Sequence, residues 1–143
     1  MKKYLIVVFT IFLLISCNKI ETNQTLDKKD IEYIKNLNLL TDGENVYKFY
    51  SEYKKDVAGN FYTDRRIATY WIDRRNSKKN EINYAYYKEI KRIDTVFNAG
   101  AGYTPYILVT KTNGNTFKVS VDGDKKEIRD FFEGVLREWK TKR

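Results

Sequence analysis

The side chains that carry most enzyme chemistry are scarce in this chain. Among its 143 residues there is no histidine and one cysteine, Cys17. Imidazole and thiolate are the bases, nucleophiles and soft ligands of histidine triads, thiol enzymes and zinc fingers, so those chemistries are excluded. Carboxylates and tyrosines remain as acids and bases, but nothing in their spacing marks a pair. Asp122 and Asp124 flank Gly123, yet the full spacing and terminal glutamate of an EF-hand calcium loop are missing. Gly100-Ala101-Gly102 lacks the third glycine and the following helix of a dinucleotide-binding turn, and reads as a relaxed loop. No catalytic residue, metal or cofactor is expected. What is left is charge: two basic clusters, Lys54-Lys55 and Arg74-Arg75 with Lys78-Lys79.

The use of that charge depends on where the chain resides. Lys2 and Lys3, the apolar run Tyr4 to Ile15, and Ser16 have the form of an export signal with a small residue before the cut. The run of twelve is too short to cross a bilayer as a helix, which takes about 20 residues. It ends in Leu14-Ile15-Ser16-Cys17, which resembles the lipobox of bacterial lipoproteins. That resemblance implies a signal peptide over 1–16, a cut between Ser16 and Cys17, and a lipid on Cys17 that anchors the protein in the cell envelope. A simple secretory signal with a stray cysteine is the alternative. Removing 16 of 143 residues leaves 127 with no second cysteine, so no disulfide can form and an apolar core must supply the stability. Lys2 and Lys3 account for 2 of the formal +8, leaving +6. An exported basic protein seldom meets nucleic acid, so anionic lipid head groups or an acidic protein partner are expected instead. The competing reading is that these lysines and arginines only solubilise a surface.

The elements that position the clusters follow from periodicity. Residues 17–29 are polar and read as a flexible, lipidated tether. A first helix is expected over 27–39, with Ile31, Ile34 and Leu37 at helical spacing and Asp27 as its cap. Thr41-Asp42-Gly43 breaks it. Seven strands are expected at 46–53, 59–63, 66–73, 82–87, 90–97, 105–112 and 116–122, where Tyr, Phe, Ile, Val and Thr dominate. Asn113-Gly114 predicts a type I′ hairpin before the last strand. Asp124 and Glu127 fit a capping box. Beyond them Ile128, Phe131, Phe132, Val135, Leu136 and Trp139 form one apolar stripe. Acids and bases alternate on the opposite side of this helix, which suits core packing better than lying on a membrane.

The order of elements, and three local segments, resemble the pleckstrin-homology superfold and in particular bacterial PH-like and GRAM-like domains. Phe61-Tyr62-Thr63-Asp64-Arg65-Arg66-Ile67 is similar to their leucine-threonine-aspartate-x-arginine strand-turn-strand segment. Tyr86-Tyr87-Lys88-Glu89-Ile90-Lys91-Arg92-Ile93 is similar to their tyrosine-x-x-isoleucine-x-x-isoleucine crossing. Tyr106 to Phe117, through Gly114, looks like their last hairpin. The resemblance implies a mainly β domain over 30–143. Its seven strands would form a barrel or two orthogonal sheets, capped by one amphipathic helix and preceded by a short one. It also implies that Lys54, Lys55, Arg74, Arg75, Lys78 and Lys79 share one open end, with Arg65 and Arg66 at the other. Eukaryotic relatives hold lipid phosphates at the first end with further basic residues on the second strand. Phe61-Tyr62-Thr63 offers none, so phosphoinositide recognition does not carry over and a looser attraction to anions is expected. The resulting expectation is a non-enzymatic binding or scaffolding module. The alternatives are a structural envelope protein that acts by oligomerising and an enzyme using only carboxylates and tyrosines.

Overall fold

The computed structural model describes residues 20–143. Cys17, the expected cut after Ser16 and the expected signal segment over 1–16 lie outside the described residues. Seven antiparallel strands form: β1 Val46–Tyr50, β2 Ala58–Thr63, β3 Arg66–Trp71, β4 Glu81–Tyr86, β5 Ile90–Val96, β6 Tyr106–Lys111 and β7 Thr116–Ser120. Helix α1 spans Lys28–Asn36 and α2 spans Lys125–Lys142. The strands make two sheets, ordered β1-β2-β3-β4 and β5-β6-β7. The sheets do not close into the barrel that the sequence left open as one form of the fold. The outer edge of β1 is already taken: Glu21 exchanges backbone hydrogen bonds of 2.8 Å with Phe49 in both directions, and Asn23 N–H donates to the Val46 carbonyl at 2.9 Å.

That pairing also corrects the expected tether. Residues 20–29 belong to the folded unit, because Ile20 packs against the core between the sheets and Leu26 is buried. Polar composition concealed this, since a strand that only covers an edge needs backbone groups more than apolar side chains.

Alternation along the four-stranded sheet gives it two buried faces. Tyr50, Tyr62, Ile67 and Ala85 face the second sheet and α2. Val46, Phe49, Phe61, Ala68 and Tyr70 face the other way, against Leu26, Ile34, Leu39 and Leu40 from the α1 segment. Strand β2 is consequently buried at all six positions. Helix α1 is shorter than expected. It stops at Asn36, and Asn38 adopts the left-handed conformation (φ 60°) while Leu39 N–H donates to the Ile34 carbonyl, a glycine-like C-terminal stop made by asparagine. Ending there releases Leu39 and Leu40 into the core. Asp27 precedes the helix without a side-chain capping bond.

The last hairpin also departs from expectation. Gly114 is at φ 88° and Asn113 is not left-handed; Gly114 N–H donates to the Lys111 carbonyl at 3.0 Å. A three-residue loop carries the turn, with glycine where the chain must reverse its twist. Helix α2 begins at the expected capping box: Glu127 N–H donates to Asp124 Oδ1 at 2.8 Å, and Asp124 N–H to Glu127 Oε2 at 3.0 Å. Of its stripe, Ile128, Phe131, Phe132 and Val135 are buried, whereas Leu136 and Trp139 are half-buried. Gly134 lies over Tyr62, and any Cβ there would collide with the tyrosine hydroxyl. The missing side chain lets the helix settle on the sheet.

Candidate functional site

Three elements meet at one end of the molecule: the β1–β2 loop (51–57), the β3–β4 loop (72–80) and α1. The two strands that carry the loops hold them in register, since Ile72 N–H donates to the Val57 carbonyl at 2.7 Å. Tyr33 donates from its hydroxyl to the Asp56 carbonyl at 2.8 Å, and Tyr70 to the Lys55 carbonyl. The β3–β4 loop is closed by its own polar side chains. Asp73 N–H donates to Asn80 Oδ1 at 2.9 Å, and Asp73 Oδ1 accepts from the N–H groups of Arg75 (2.8 Å) and Asn76 (3.0 Å). Asn76 in turn caps the short 3₁₀ turn Ser77–Lys79. Both loops are thus fixed platforms rather than loose connections.

The structure brings the six expected basic residues to this end but does not leave all six available. Lys55 is bound by Glu21 at 2.6 Å and Asp30 at 3.1 Å, and Arg74 is paired with Asp56. Burial pulls the Lys55 ammonium down, but the two carboxylates outweigh it and hold its pKa above the ordinary lysine value. Lys55 is therefore a structural cation. Among the described residues, Lys54, Arg75, Lys78 and Lys79 have no carboxylate within 4 Å. Beside them stand two exposed rings, Tyr53 at 64% and Trp71 at 43% exposure. Tyr53, Trp71, Arg74 and Arg75 line one open cavity of about 370 Å³. A second, of about 590 Å³, lies across Tyr53 toward α1 and mixes Lys29, Lys54 and Lys55 with Asp27, Asp30 and Asp56. Four unpaired cations spread over two loops, with aromatic rings between them, suit diffuse attraction to an anionic surface better than a stoichiometric phosphate site.

The other end is built differently. Arg66 and Glu44 form a buried two-pronged pair, with side chains 2% and 0% exposed. Arg66 Nε donates to Glu44 Oε1 at 2.9 Å and Nη2 donates to Oε2 at 2.8 Å. The guanidinium also lies over the rings of Tyr84 and Tyr86, at 5.2 and 4.7 Å. Thr63 donates its hydroxyl to Glu44 at 2.7 Å and accepts from the N–H groups of Arg65 and Arg66 in the β2–β3 turn. Burial pushes the Glu44 carboxyl up, but the hydrogen bonds from Arg66, Thr63 and Thr41 more than offset this and hold it below the usual glutamate range. Tyr87 donates to the Thr63 carbonyl at 2.6 Å, and Ile90 and Ile93 are buried behind it. Two of the three sequence segments that resemble PH-like domains therefore meet at this turn, and their residues here serve the architecture. The sequence placed Arg65 and Arg66 together as turn residues; burial separates them, and Glu44 had no signal beyond an acid after a glycine.

Between the sheets runs a polar groove. Asn60 donates to Glu52 Oε2 at 2.7 Å and accepts from the Thr69 hydroxyl (2.9 Å) and from Ser120 N–H (3.0 Å), which ties three strands together. Partial burial raises the Glu52 carboxyl despite the hydrogen bonds it accepts. The inner tyrosines are unsuited to acid–base work. Burial pushes Tyr50 and Tyr62 up to about 12, and Tyr70 and Tyr87 higher still, away from neutral pH. Among the described residues no group of acidic side chains is placed to hold a metal ion, and no helix is long and apolar enough to cross a membrane.

Comparison with solved structures now decides the fold. The chain is similar to a crystal structure of a DUF1696 family protein with a pleckstrin-homology domain from Shewanella loihica PV-4. The match covers 87% of this chain and 97% of that one, at a TM-score of 0.52 and 10% sequence identity. The fold is pleckstrin-homology-like. No family model and no curated protein matches the chain. At this identity the likeness concerns architecture: two antiparallel sheets and a C-terminal helix. In this PH-like frame the basic residues occupy the first and third inter-strand loops.

Proposed function

We propose that the protein is a lipid-anchored, non-enzymatic binding module of the bacterial cell envelope, whose loop end meets an anionic surface. The observation that carries this reading is the placement of Lys54, Arg75, Lys78 and Lys79, unpaired, beside Tyr53 and Trp71 on two rigid loops. The lipobox-like Leu14-Ile15-Ser16-Cys17 supports a lipid on Cys17. A role without catalysis is supported by tyrosines driven away from neutral pH and by the absence of histidine from the sequence.

Two measurements test it. Cys17→Ser should abolish fatty-acid labelling and move the protein out of the membrane pellet, because acyl chains contribute about 0.8 kcal/mol per buried CH₂. Equal labelling of both forms would remove the anchor from the proposal. For the loop end, the chain from Ile20 onward should bind anionic vesicles weakly and neutral ones not at all, at up to about 1 kcal/mol per engaged cation. Raising salt should release it, because the Debye length falls from about 10 Å at 0.1 M to about 3 Å at 1 M. Reversing Arg75 and Lys78 should abolish binding, whereas reversing the exposed Arg137 and Lys140 of α2 should not. Identical behaviour of the two pairs would reduce the loop end to solvated surface.

A second reading, assembly through sheet edges, rests on β4. This strand ends its sheet, and Ile82 and Tyr84 on it are 40% and 38% exposed. Sedimentation velocity separates the two: a monomer at micromolar concentration favours the binding module.

A further inference from the structure

We infer that residues Ile20–Asn23 form a strap that turns the loop end of the domain toward the bilayer, so that Tyr53, Lys54, Trp71 and Arg75 become its membrane-contacting face. The inference deepens the proposed anchoring and rests on it.

The direction of the strap is set by backbone register. Asn23 pairs with Val46 and Glu21 with Phe49, so moving toward the N-terminus along the strap means moving up β1 toward Tyr50 and the β1–β2 loop. The chain before Ile20 therefore leaves the domain at the loop end. The opposite end, marked by Asn45 N–H donating to Asp64 at 2.9 Å, lies behind it. Two kinds of contact hold the strap down. Ile20, half-buried, packs against the core between the sheets, and Glu21 is clamped by Lys55, which also reaches Asp30 on α1. Lys55 spends its charge on this clamp and not on a ligand.

Covalent reach supplies the second half. Three residue steps lead from Cys17 to Ile20, and a chain extends by at most about 3.6 Å per residue. The backbone of Cys17, which would carry the lipid, is thus held within about 11 Å of Ile20. The level of Asn45 is five residues along β1 from Tyr50, about 17 Å away at 3.3–3.4 Å per strand residue. The acyl chains are therefore held closer to the loop end than to the β2–β3 turn, even with the short reach of the cysteine side chain added. The chemistry at the near end fits this: exposed rings and cations on short rigid loops are the residues that settle at a membrane–water interface. At the far end Lys142 donates to the Asp64 carbonyl and Arg66 is buried.

The protein has two tryptophans, one for each end. Trp71 is exposed at the loop end, and Trp139 sits near the C-terminus of α2, donating to the Ile90 carbonyl at 3.2 Å. The chain from Cys17 onward contains every described core residue. It can be coupled through its one thiol to a maleimide lipid in neutral phosphatidylcholine vesicles that carry brominated acyl chains. Trp139→Phe and Trp71→Phe leave one reporter each. Trp71 fluorescence should be quenched several-fold more than that of Trp139. Inserting twelve Gly/Ser residues between Cys17 and Asn18, which adds about 20 Å of r.m.s. reach, should equalise them. Hydrogen exchange on the coupled protein with both tryptophans intact gives a second readout: loops 51–57 and 72–80 should slow relative to the uncoupled chain, and the Asp64-Arg65 turn should not. Equal quenching before the insertion, a bias toward Trp139, or a bias that survives the insertion would overturn the strap. Chemical coupling makes the outcome independent of native lipidation, which the fatty-acid label on Cys17 decides separately.

Discussion

Replacing Arg66 with alanine is expected to cost the domain about 3–5 kcal/mol, because it leaves the Glu44 carboxylate buried without its cation. Against a typical total of about 5–15 kcal/mol, that is enough to leave the fold marginal at room temperature. Glu44→Gln should cost a similar amount by stranding the guanidinium. The double change Glu44→Leu with Arg66→Met should cost much less than the sum of Glu44→Leu and Arg66→Met made singly, since well-packed apolar side chains often replace a buried pair without loss. Urea denaturation of the wild type, Glu44→Leu, Arg66→Met and the double variant measures the coupling directly. Acid provides an independent readout. The Glu44 pKa is depressed in the folded state, so its contribution is fully present above the unfolded glutamate value, about 4.3, and is lost as pH falls through the lower folded value. The stability of the native protein should therefore fall below about pH 4, and that part of the pH dependence should be missing from the double variant. Additive single costs, or an unchanged acid limb, would mean the pair is not coupled as its geometry implies.

Phe132→Ala is expected to cost about 3–5 kcal/mol, since the ring is fully buried and its removal opens a cavity. Phe132 sits 5.0 Å from the Phe97 ring and 6.5 Å from Phe131, which itself meets Tyr62 edge-on at 5.1 Å. The sequence stripe assigned Trp139 an equal weight. The structure lowers it: the indole is half-buried, and its truncation should cost about 2 kcal/mol. Lys140→Ala, on the wet side of α2, should cost less than about 0.5 kcal/mol. Chemical-denaturation midpoints should rank in that order, and three equal midpoints would mean that α2 does not close the core.

What the sequence revealed and what it hid divide along physical lines. Signals written in neighbouring residues were legible. The alternation of Phe117, Val119 and Val121, the Asp124–Glu127 box and the α2 stripe each depend on spacing within one element, and all seven strands formed within a few residues of their expected limits. Long-range pairings left no such mark. Glu44 and Arg66 are 22 residues apart, and their union follows from β1 and β3 lying in one sheet. The uniform burial of β2 leaves no mark in its sequence, because polar Asn60 and Thr63 are satisfied by partners elsewhere. The basic clusters are plain in the sequence, but the acids that neutralise Lys55 come from the polar segment before α1 and from α1 itself. Composition alone cannot separate a cation that faces solvent from one that holds a strand.

The strap has a mechanical consequence. Hydrogen bonds between antiparallel strands lie across the strand axis. A pull on the chain from beyond Ile20, directed out of the loop end, runs along that axis and loads the Glu21–Phe49 and Asn23–Val46 bonds together, with the Glu21–Lys55 clamp alongside. Force arriving this way shears the strap instead of peeling it one bond at a time. A drag on the domain, such as a bound partner or fluid flow, would thus meet the joint in its stronger direction. The same joint pulled sideways would open like a zip.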